Sequence, residues 1–319
     1  VASNLTTLLK LVIVFGIVIT TQLLPSIAAA TDQKMSTSQL GSPGKLWLPS
    51  KSTSLRGVLI CLHGFGLNAS SFEAFGKDAA ERGFACFAPD IRGFGYWRAS
   101  GTHPKLDLAV SVEDVRSIVK ALKANHPDMP VFVLGESMGG AIAITAASLY
   151  PDGIDGLIAS VPSAERFEQK KASAVVAFRY LLDADKEIDV KHKVVDRAIA
   201  DEELKRMWLL DPRNRIHVSP RELLQFQRFM NAATDRAKEI RQTPVLIVQG
   251  CRDNLVKPDA TVNLYKRVAS SDKQLLMVGQ AEHLIFQKGQ FTNQTMEMLM
   301  AWLRQHENVV VKQQPINRK

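Results

Sequence analysis

The chain has 319 residues, of which 46% are hydrophobic and 23% charged, with a formal net charge of +8. That composition excludes a disordered or collagen-like chain, and a mean hydropathy of −0.04 excludes a polytopic membrane protein. Three cysteines are too few, and odd in number, for a disulfide scaffold.

Lys10 is the only charge in the first thirty residues. Leu11 to Ile19 is apolar apart from Gly16. Pro25 and Ala28-Ala29-Ala30 follow, and then polar Thr31-Asp32-Gln33-Lys34. A basic residue, a short apolar run and small residues at a cleavage point predict a secretory signal over 1–30. A retained anchor over Leu8 to Ala30 and a buried helix are the alternatives. The expected location is therefore exported: periplasmic, extracellular or membrane-anchored. A translated GUG start would account for Val1 and would place the source among bacteria.

A polar linker, 31–44, leads into a single domain over 45–319. Gly57 to Leu62 is a continuous apolar run, as expected of a strand buried on both faces of a parallel sheet. Ser71 to Arg82 is predicted helical and Phe84 to Ala88 a strand. Leu106 to Asn125 carries apolar residues at helical spacing, including Val112, Val115 and Val119. Val131 to Leu134 is a third strand, Gly139 to Leu149 a small-residue helix and Ile154 to Val161 a fourth strand. Strands at Val245 to Val248 and Gln274 to Val278 flank a helix over Asp259 to Ala269. Phe291 to Gln305 is the last helix. This βαβ alternation predicts a mostly parallel sheet with helices on both faces. Between the fourth and fifth strands, Pro162 to Arg241 lacks strand-like runs and is rich in helix formers. It is expected to be a helical cap of about 162–241 that supplies the substrate-binding residues.

Gly135-Glu136-Ser137-Met138-Gly139 fits G-x-S-x-G and lies between an apolar strand and a helix. The bare pattern would occur by chance in about one chain in ten of this size. Its position between those two elements is what marks a nucleophile elbow, with Ser137 as the nucleophile. A serine hydroxyl needs a base, and the chain order for such an elbow is serine, acid, histidine. His217, His283 and His306 follow Ser137. His283, on a short loop after a strand, is the expected base. His217 falls in the cap, and His306, at the end of the last helix, is expected to be solvated. Asp253, just beyond the strand VLIV, is the expected acid. Asp259 belongs to the first turn of the next helix, and Glu282 adjoins His283 too closely to reach its far side. The oxyanion donors are expected to be the backbone N–H groups of Met138 and of Phe65, in His63-Gly64-Phe65-Gly66. His63 is expected to tie that loop down. Cys61, Cys86 and Cys251 are expected to be buried, inert thiols.

HGFG, PDIRGFG (Pro89 to Gly95), GESMGGA (Gly135 to Ala141), GCRDNLV (Gly250 to Val256) and His283 resemble the monoacylglycerol lipase/lysophospholipase-like branch of the α/β-hydrolases. The resemblance spans about Gly44 to Trp302. It implies the α/β-hydrolase fold: a mostly parallel central sheet flanked by helices, with an inserted helical cap. It implies a serine esterase for monoacylglycerols, lysophospholipids or related acyl esters. Ser137, His283 and Asp253 would act through an acyl-enzyme, with no cofactor and no metal. The sequence departs from the family where Tyr96-Trp97 follow the R-G-x-G loop in place of a serine, and in its export segment.

Apolar cap residues (Val175, Val176, Phe178, Tyr180, Leu181, Leu182, Trp208, Leu209, Leu210, Phe226, Phe229, Met230) are expected mostly to pack the cap, with the remainder lining an acyl tunnel. An acyl-ester lipid is the expected partner, with peripheral membrane contact and no nucleic acid, since the charges form no one-sign stripe. An acyltransferase, an esterase for a non-lipid ester and an inactive binding protein are the alternatives.

Overall fold

The computed structural model describes residues 35–163 and 165–307. The segment expected to direct export, 1–30, lies outside the described residues. The chain builds β1 (Gly44–Trp47), β2 (Gly57–Leu62), α1 (Glu73–Glu81), β3 (Phe84–Pro89), α2 (Gly95–Ala99), α3 (Leu108–Asn125), β4 (Val131–Glu136), α4 (Met138–Leu149) and β5 (Gly156–Ser160). An inserted segment follows, with α5 (Gln169–Leu182), β6 (Ile188–Asp189), α6 (Lys191–Ala198), α7 (Glu202–Leu210), β7 (His217–Val218) and α8 (Pro220–Arg236). The chain then returns through β8 (Val245–Gly250), α9 (Pro258–Arg267), β9 (Lys273–Val278) and α10 (Asn293–His306).

Seven strands form one sheet in the order β1-β3-β2-β4-β5-β8-β9, parallel throughout except for β1 against β3. Every residue of β2, β3, β4, β5 and β8 is buried, because side chains alternate between two covered faces. Val58, Ile60 and Leu62 pack with α3, α4 and α8. Leu59 and Cys61 pack on the other face with Phe75 and Ala79 of α1 and Met296 and Leu303 of α10. The edge strands β1 and β9 have no fully buried residue. α4 has ten of its twelve residues buried, which explains its small, uniformly apolar sequence.

The chain runs from β2 outward to β3, then crosses back to β4 on the other side of β2. The strand order therefore reverses between β2 and β4. In open α/β sheets the crevice beyond the strands' carboxyl ends at such a point is where ligands bind.

The inserted segment is helical, with one antiparallel pair, β6 with β7, that the apolar pattern did not predict. Two-residue strands are too short for any periodicity to register. α8 begins with a full capping box: Ser219 Oγ accepts from the Glu222 amide, and Glu222 accepts from the Ser219 amide at 3.1 Å. Glu222 also receives Arg215 through two bonds of 2.8 Å and the Leu106 amide at 2.9 Å, fastening the insertion to the loop before α3.

Two expectations are corrected. α5 has no buried residue, and Val175, Phe178, Leu181 and Leu182 are exposed rather than packed into the cap. Of the apolar cap residues named from the sequence, Trp208, Phe226 and Met230 are buried. Cys61 and Cys86 are buried but Cys251 is exposed, because it lies in the turn beyond β8; all three are free thiols. Burial pushes the Cys61 thiol well above its ordinary value, which makes it a poor nucleophile.

Candidate active site

Ser137 stands at the turn from β4 into α4 with φ 55° and ψ −111°, a region that a residue bearing a Cβ rarely adopts. The turn is tight enough that only glycine fits on either side. A Cβ on Gly135 would stand 2.1 Å from the Gly139 carbonyl oxygen, and one on Gly139 would stand 2.0 Å from that of Leu62. The G-x-S-x-G spacing thus follows from backbone packing, and the strain projects Ser137 Oγ off the sheet.

His283 lies in the loop after β9, and Asp253 lies just beyond β8. The three side chains form one chain of hydrogen bonds. His283 Nε2 is 2.8 Å from Ser137 Oγ, and His283 Nδ1 is 2.8 Å from Asp253 Oδ2. All three are buried. Asp253 Oδ1 accepts the Leu255 and Val256 amides at 2.8 Å each, so the carboxylate is fixed from behind. Burial alone would raise the Asp253 carboxyl. The electrostatic interaction with His283 and the hydrogen bonds from His283, Val256 and Leu255 outweigh it and hold the carboxyl below its usual value. Asp253 therefore stays ionised and keeps the imidazole proton on Nδ1, leaving Nε2 free to accept.

Competing residues fall elsewhere. Asp259 is in the first turn of α9. The Glu282 carboxylate accepts from the Ala200 amide at 2.8 Å, and the neighbouring His283 amide donates to the Ala198 carbonyl at 3.3 Å, so the insertion grips this loop. His217 is exposed in β7. His306 is buried, contrary to the solvated role expected of it. Its Nδ1 is 2.7 Å from the Trp302 carbonyl and its Nε2 is 3.1 Å from Asp272, so it anchors the end of α10.

The loop after β2 approaches Ser137 from the other side of the switch point. His63 is buried, and its Nε2 accepts the Ile91 amide at 3.1 Å. Nδ1 therefore carries the proton and donates to the Gly64 carbonyl at 2.9 Å. Burial lowers the His63 pKa and keeps the ring neutral, against the pull of Asp90 and the Gly64 carbonyl. Asp90 accepts from the Ala69 and Tyr96 amides at 2.8 Å each. Arg92 forms a two-bond pair with Asp114 at 2.7 and 2.8 Å and stacks on Trp97. Trp97 Nε1 also donates to the Asp90 carbonyl at 2.9 Å. Tyr96-Trp97 thus braces the loop and does not line the cavity beside Ser137. The amides of Phe65 and Met138 have no hydrogen-bond acceptor among the described residues. Phe65 starts a turn, and Met138 opens α4, where N–H groups have no intrahelical partner.

Two supporting residues were not identified from the sequence. Gln249 Nε2 donates to Asp253 Oδ2 at 3.2 Å, while its Oε1 accepts Thr261 Oγ1 at 2.6 Å. A glutamine ending the apolar run VLIVQ was the available signal. Glu136 is wholly buried and accepts from the Phe286 amide and from Gln287 Nε2, both at 2.9 Å. It pins the segment after His283 to the strand that carries Ser137. Burial raises its carboxyl above the usual value, against those hydrogen bonds and the electrostatic interaction with His283. Glu136→Gln is expected to cost about 1–2 kcal/mol of stability, since one amide N–H₂ must face a donor. Folded Glu136 binds its proton more tightly than unfolded Glu136. The wild-type contribution therefore declines as pH rises above the ordinary carboxylate range, and the deficit of the variant should shrink. Urea unfolding at about pH 5 and about pH 8 measures this; a deficit that grows with pH would contradict it.

A cavity of about 500 Å³ opens onto Ser137 and His283, lined by Gly64 and Phe65 below and by the inserted helices above. Trp208 and Phe226 form part of its wall. Phe65 packs edge-on against Phe94 and at 4.9 Å from Phe226. Trp208 Nε1 and the Arg215 amide both donate to the Gly66 carbonyl, at 3.3 and 2.8 Å, so the insertion also holds this loop.

Residues 53–289 match the family described as serine aminopeptidase, S33. The chain belongs to this family. Its members are hydrolases, and its relatives include a monoacylglycerol lipase of Mycolicibacterium smegmatis, 26% identical over 262 residues. That match covers 82% of this chain and 92% of the relative. A monoglyceride lipase of Rattus norvegicus is 26% identical over 267 residues, covering 81% and 85%. Among solved structures, a soluble variant of monoglyceride lipase from Saccharomyces cerevisiae, in complex with a substrate analog, superposes with a TM-score of 0.69. It is 21% identical, and the match covers 82% of this chain and 90% of that one. The fold is the α/β-hydrolase fold, and this family member is monoacylglycerol lipase-like.

Proposed function

We propose that the protein is a serine ester hydrolase acting on single-chain acyl esters of the monoacylglycerol or lysophospholipid type. The observation that carries this is the unbroken hydrogen-bonded series from Ser137 through His283 to Asp253, with 2.8 Å at both steps. Ser137 Oγ attacks the ester carbonyl while His283 Nε2 takes its proton, and the imidazolium is balanced by ionised Asp253. The Phe65 and Met138 amides receive the oxyanion. His283 then protonates the departing alcohol, leaving the acyl group on Ser137. Water, deprotonated by the same Nε2, attacks the acyl-enzyme and releases the carboxylic acid.

The cavity supports a lipid-like acyl group, being walled largely by apolar side chains and of a volume usual for small-molecule sites. A peptidase recognising a substrate ammonium would need carboxylates there. The cavity instead presents Arg166, Lys171, Arg179, Lys193 and Arg197 against Glu168 and Asp189. An acyltransferase would share the first half of the reaction and differ in taking an alcohol in place of water.

α5 supports contact with a membrane surface. It exposes Phe178, Leu181 and Leu182, none of which lines the cavity, together with Lys170, the composition of an interfacial helix at an anionic bilayer. Among the described residues no helix is long and apolar enough to cross a membrane. Export by residues 1–30, with cleavage or retention of that segment, completes the proposal.

A fluorophosphonate probe is expected to label the folded protein at Ser137 with one equivalent. A panel of monoacylglycerols, lysolipids and short aromatic esters, assayed for free acid, should show turnover. No labelling and no acid released would overturn the assignment in favour of an inactive binding protein.

A further inference from the structure

Arg166 sits at the start of the inserted segment, and its position is fixed by backbone pairing. It bridges to Val256, while the Phe167 amide donates to Leu255 and the Lys257 amide to Glu165, both at 3.1 Å. Leu255 and Val256 are the residues whose amides hold Asp253. Arg166 is thus positioned on the same rigid backbone as the acid of the site, and its side chain lines the cavity that contains Ser137 and His283.

Among the described residues this guanidinium has no anionic partner. Nη2 donates to Gln227 Oε1, and the group lies 5.1 Å over the Phe226 ring. No other side-chain N–H of Arg166 has a protein acceptor among the described residues, and no carboxylate pairs with it. The carboxylates nearby are engaged elsewhere: Glu168 pairs with Arg197, and Asp189 accepts the Lys191 amide at 2.7 Å. Arg166 is half-buried, and its partial removal from water lowers its pKa to about 10, so it remains a cation at neutral pH. A partly desolvated charge gains from meeting an opposite charge, and a guanidinium presents a fork of five donors suited to an oxyanion. Lys171, Arg179 and Lys193 add positive charge to the same cavity wall.

We propose that Arg166 is a specificity-determining residue, and that the cavity selects acyl esters that also carry an anionic phosphate or carboxylate group over their neutral counterparts. This rests on the ester-hydrolase reading and narrows its substrate class. The remaining N–H groups of Arg166 hold the anion while the ester carbonyl meets Ser137.

The full chain is assayed with three esters of one acyl chain: dodecanoyl glycerol, dodecanoyl glycerol 3-phosphate and dodecanoyl glycerate. The anionic esters are expected to exceed the neutral one in kcat/KM by about 10- to 100-fold, the usual worth of charge-assisted hydrogen bonds. The phosphate and carboxylate arms show which anion is preferred. Arg166→Gln should collapse that ratio toward one, and Arg166→Lys should restore part of it. Equal kcat/KM for neutral and anionic esters in the wild type, or a ratio unchanged in Arg166→Gln, would overturn the proposal. Binding of dodecyl phosphate to Ser137→Ala protein, by calorimetry, tests the same contact without turnover. Adding Arg166→Gln should weaken it about tenfold or more, and undiminished binding would also overturn the proposal. Arg166-dependent binding with no ester hydrolysed would leave the anion site standing and defeat the hydrolase reading. Indiscriminate hydrolysis would do the reverse.

Discussion

Ser137→Ala is expected to lower kcat for an acyl ester by about 10⁶-fold while leaving the protein folded. Removing the nucleophile eliminates the acyl-enzyme route. What remains is the modest acceleration that binding and the oxyanion donors give to direct attack by water. The fold should tolerate the change because alanine keeps the Cβ. The φ of 55° at this position is equally strained for serine and alanine, and the glycine packing on either side is untouched. Only the 2.8 Å bond to His283 is lost, a change of about 1 kcal/mol in stability. Steady-state kinetics with a chromogenic ester and urea unfolding of the same preparation check both halves. Retained turnover in a protein that no longer takes up fluorophosphonate would mean that another nucleophile serves. A protein that fails to fold would be replaced by Ser137→Gly, which relieves the positive φ and lacks the hydroxyl all the same.

The sheet was legible because its strands are buried on both faces and so read as uninterrupted apolar runs. Gly57–Leu62 was bounded correctly from sequence, and β3, β4 and β8 were short by one or two residues at their ends. β1 is not predicted as a strand from the sequence, and only its first residue, Gly44, falls in the expected linker 31–44. It is a four-residue edge strand, and Lys45 and Trp47 hold it through pairing with β3 and through packing of Trp47 against Gly76. Neither contact leaves a local pattern. The residues the structure joins around Ser137 were legible for a different reason. Each stands just beyond a strand, and the order Ser137, Asp253, His283 follows from the strand order of the fold. The inserted segment was the least legible part. Its apolar residues suggested an interior, but exposed α5 and buried Trp208 share the same composition, and only the fold decides which faces solvent. Arg166 carried no signal at all among so many charges. What distinguishes it is the absence of a counter-ion, which no sequence displays.

Asp253→Asn should lower kcat by about 10⁴-fold with little loss of fold, because the amide would hold His283 in the wrong tautomer. Asp253 Oδ1 accepts two backbone amides, from Leu255 and Val256, so the asparagine carbonyl oxygen must occupy that place. Its N–H₂ then lies where Oδ2 was, 2.8 Å from His283 Nδ1. A donor there forces Nδ1 to accept, puts the imidazole proton on Nε2, and leaves nothing to take the proton of Ser137. Rotating the amide would set N–H₂ against two backbone donors. Gln249 does not relieve the conflict: its Oε1 is committed to Thr261 Oγ1, and its Nε2, which donates to Asp253 Oδ2 at 3.2 Å, would itself face the new N–H₂. The loss should appear in kcat more than in KM, since the substrate cavity is untouched, and fluorophosphonate labelling should be slowed in proportion. Asp253→Asn within tenfold of wild type would shift the role to a different carboxylate. Glu282 would be the first to test, by releasing its hold on the Ala200 amide.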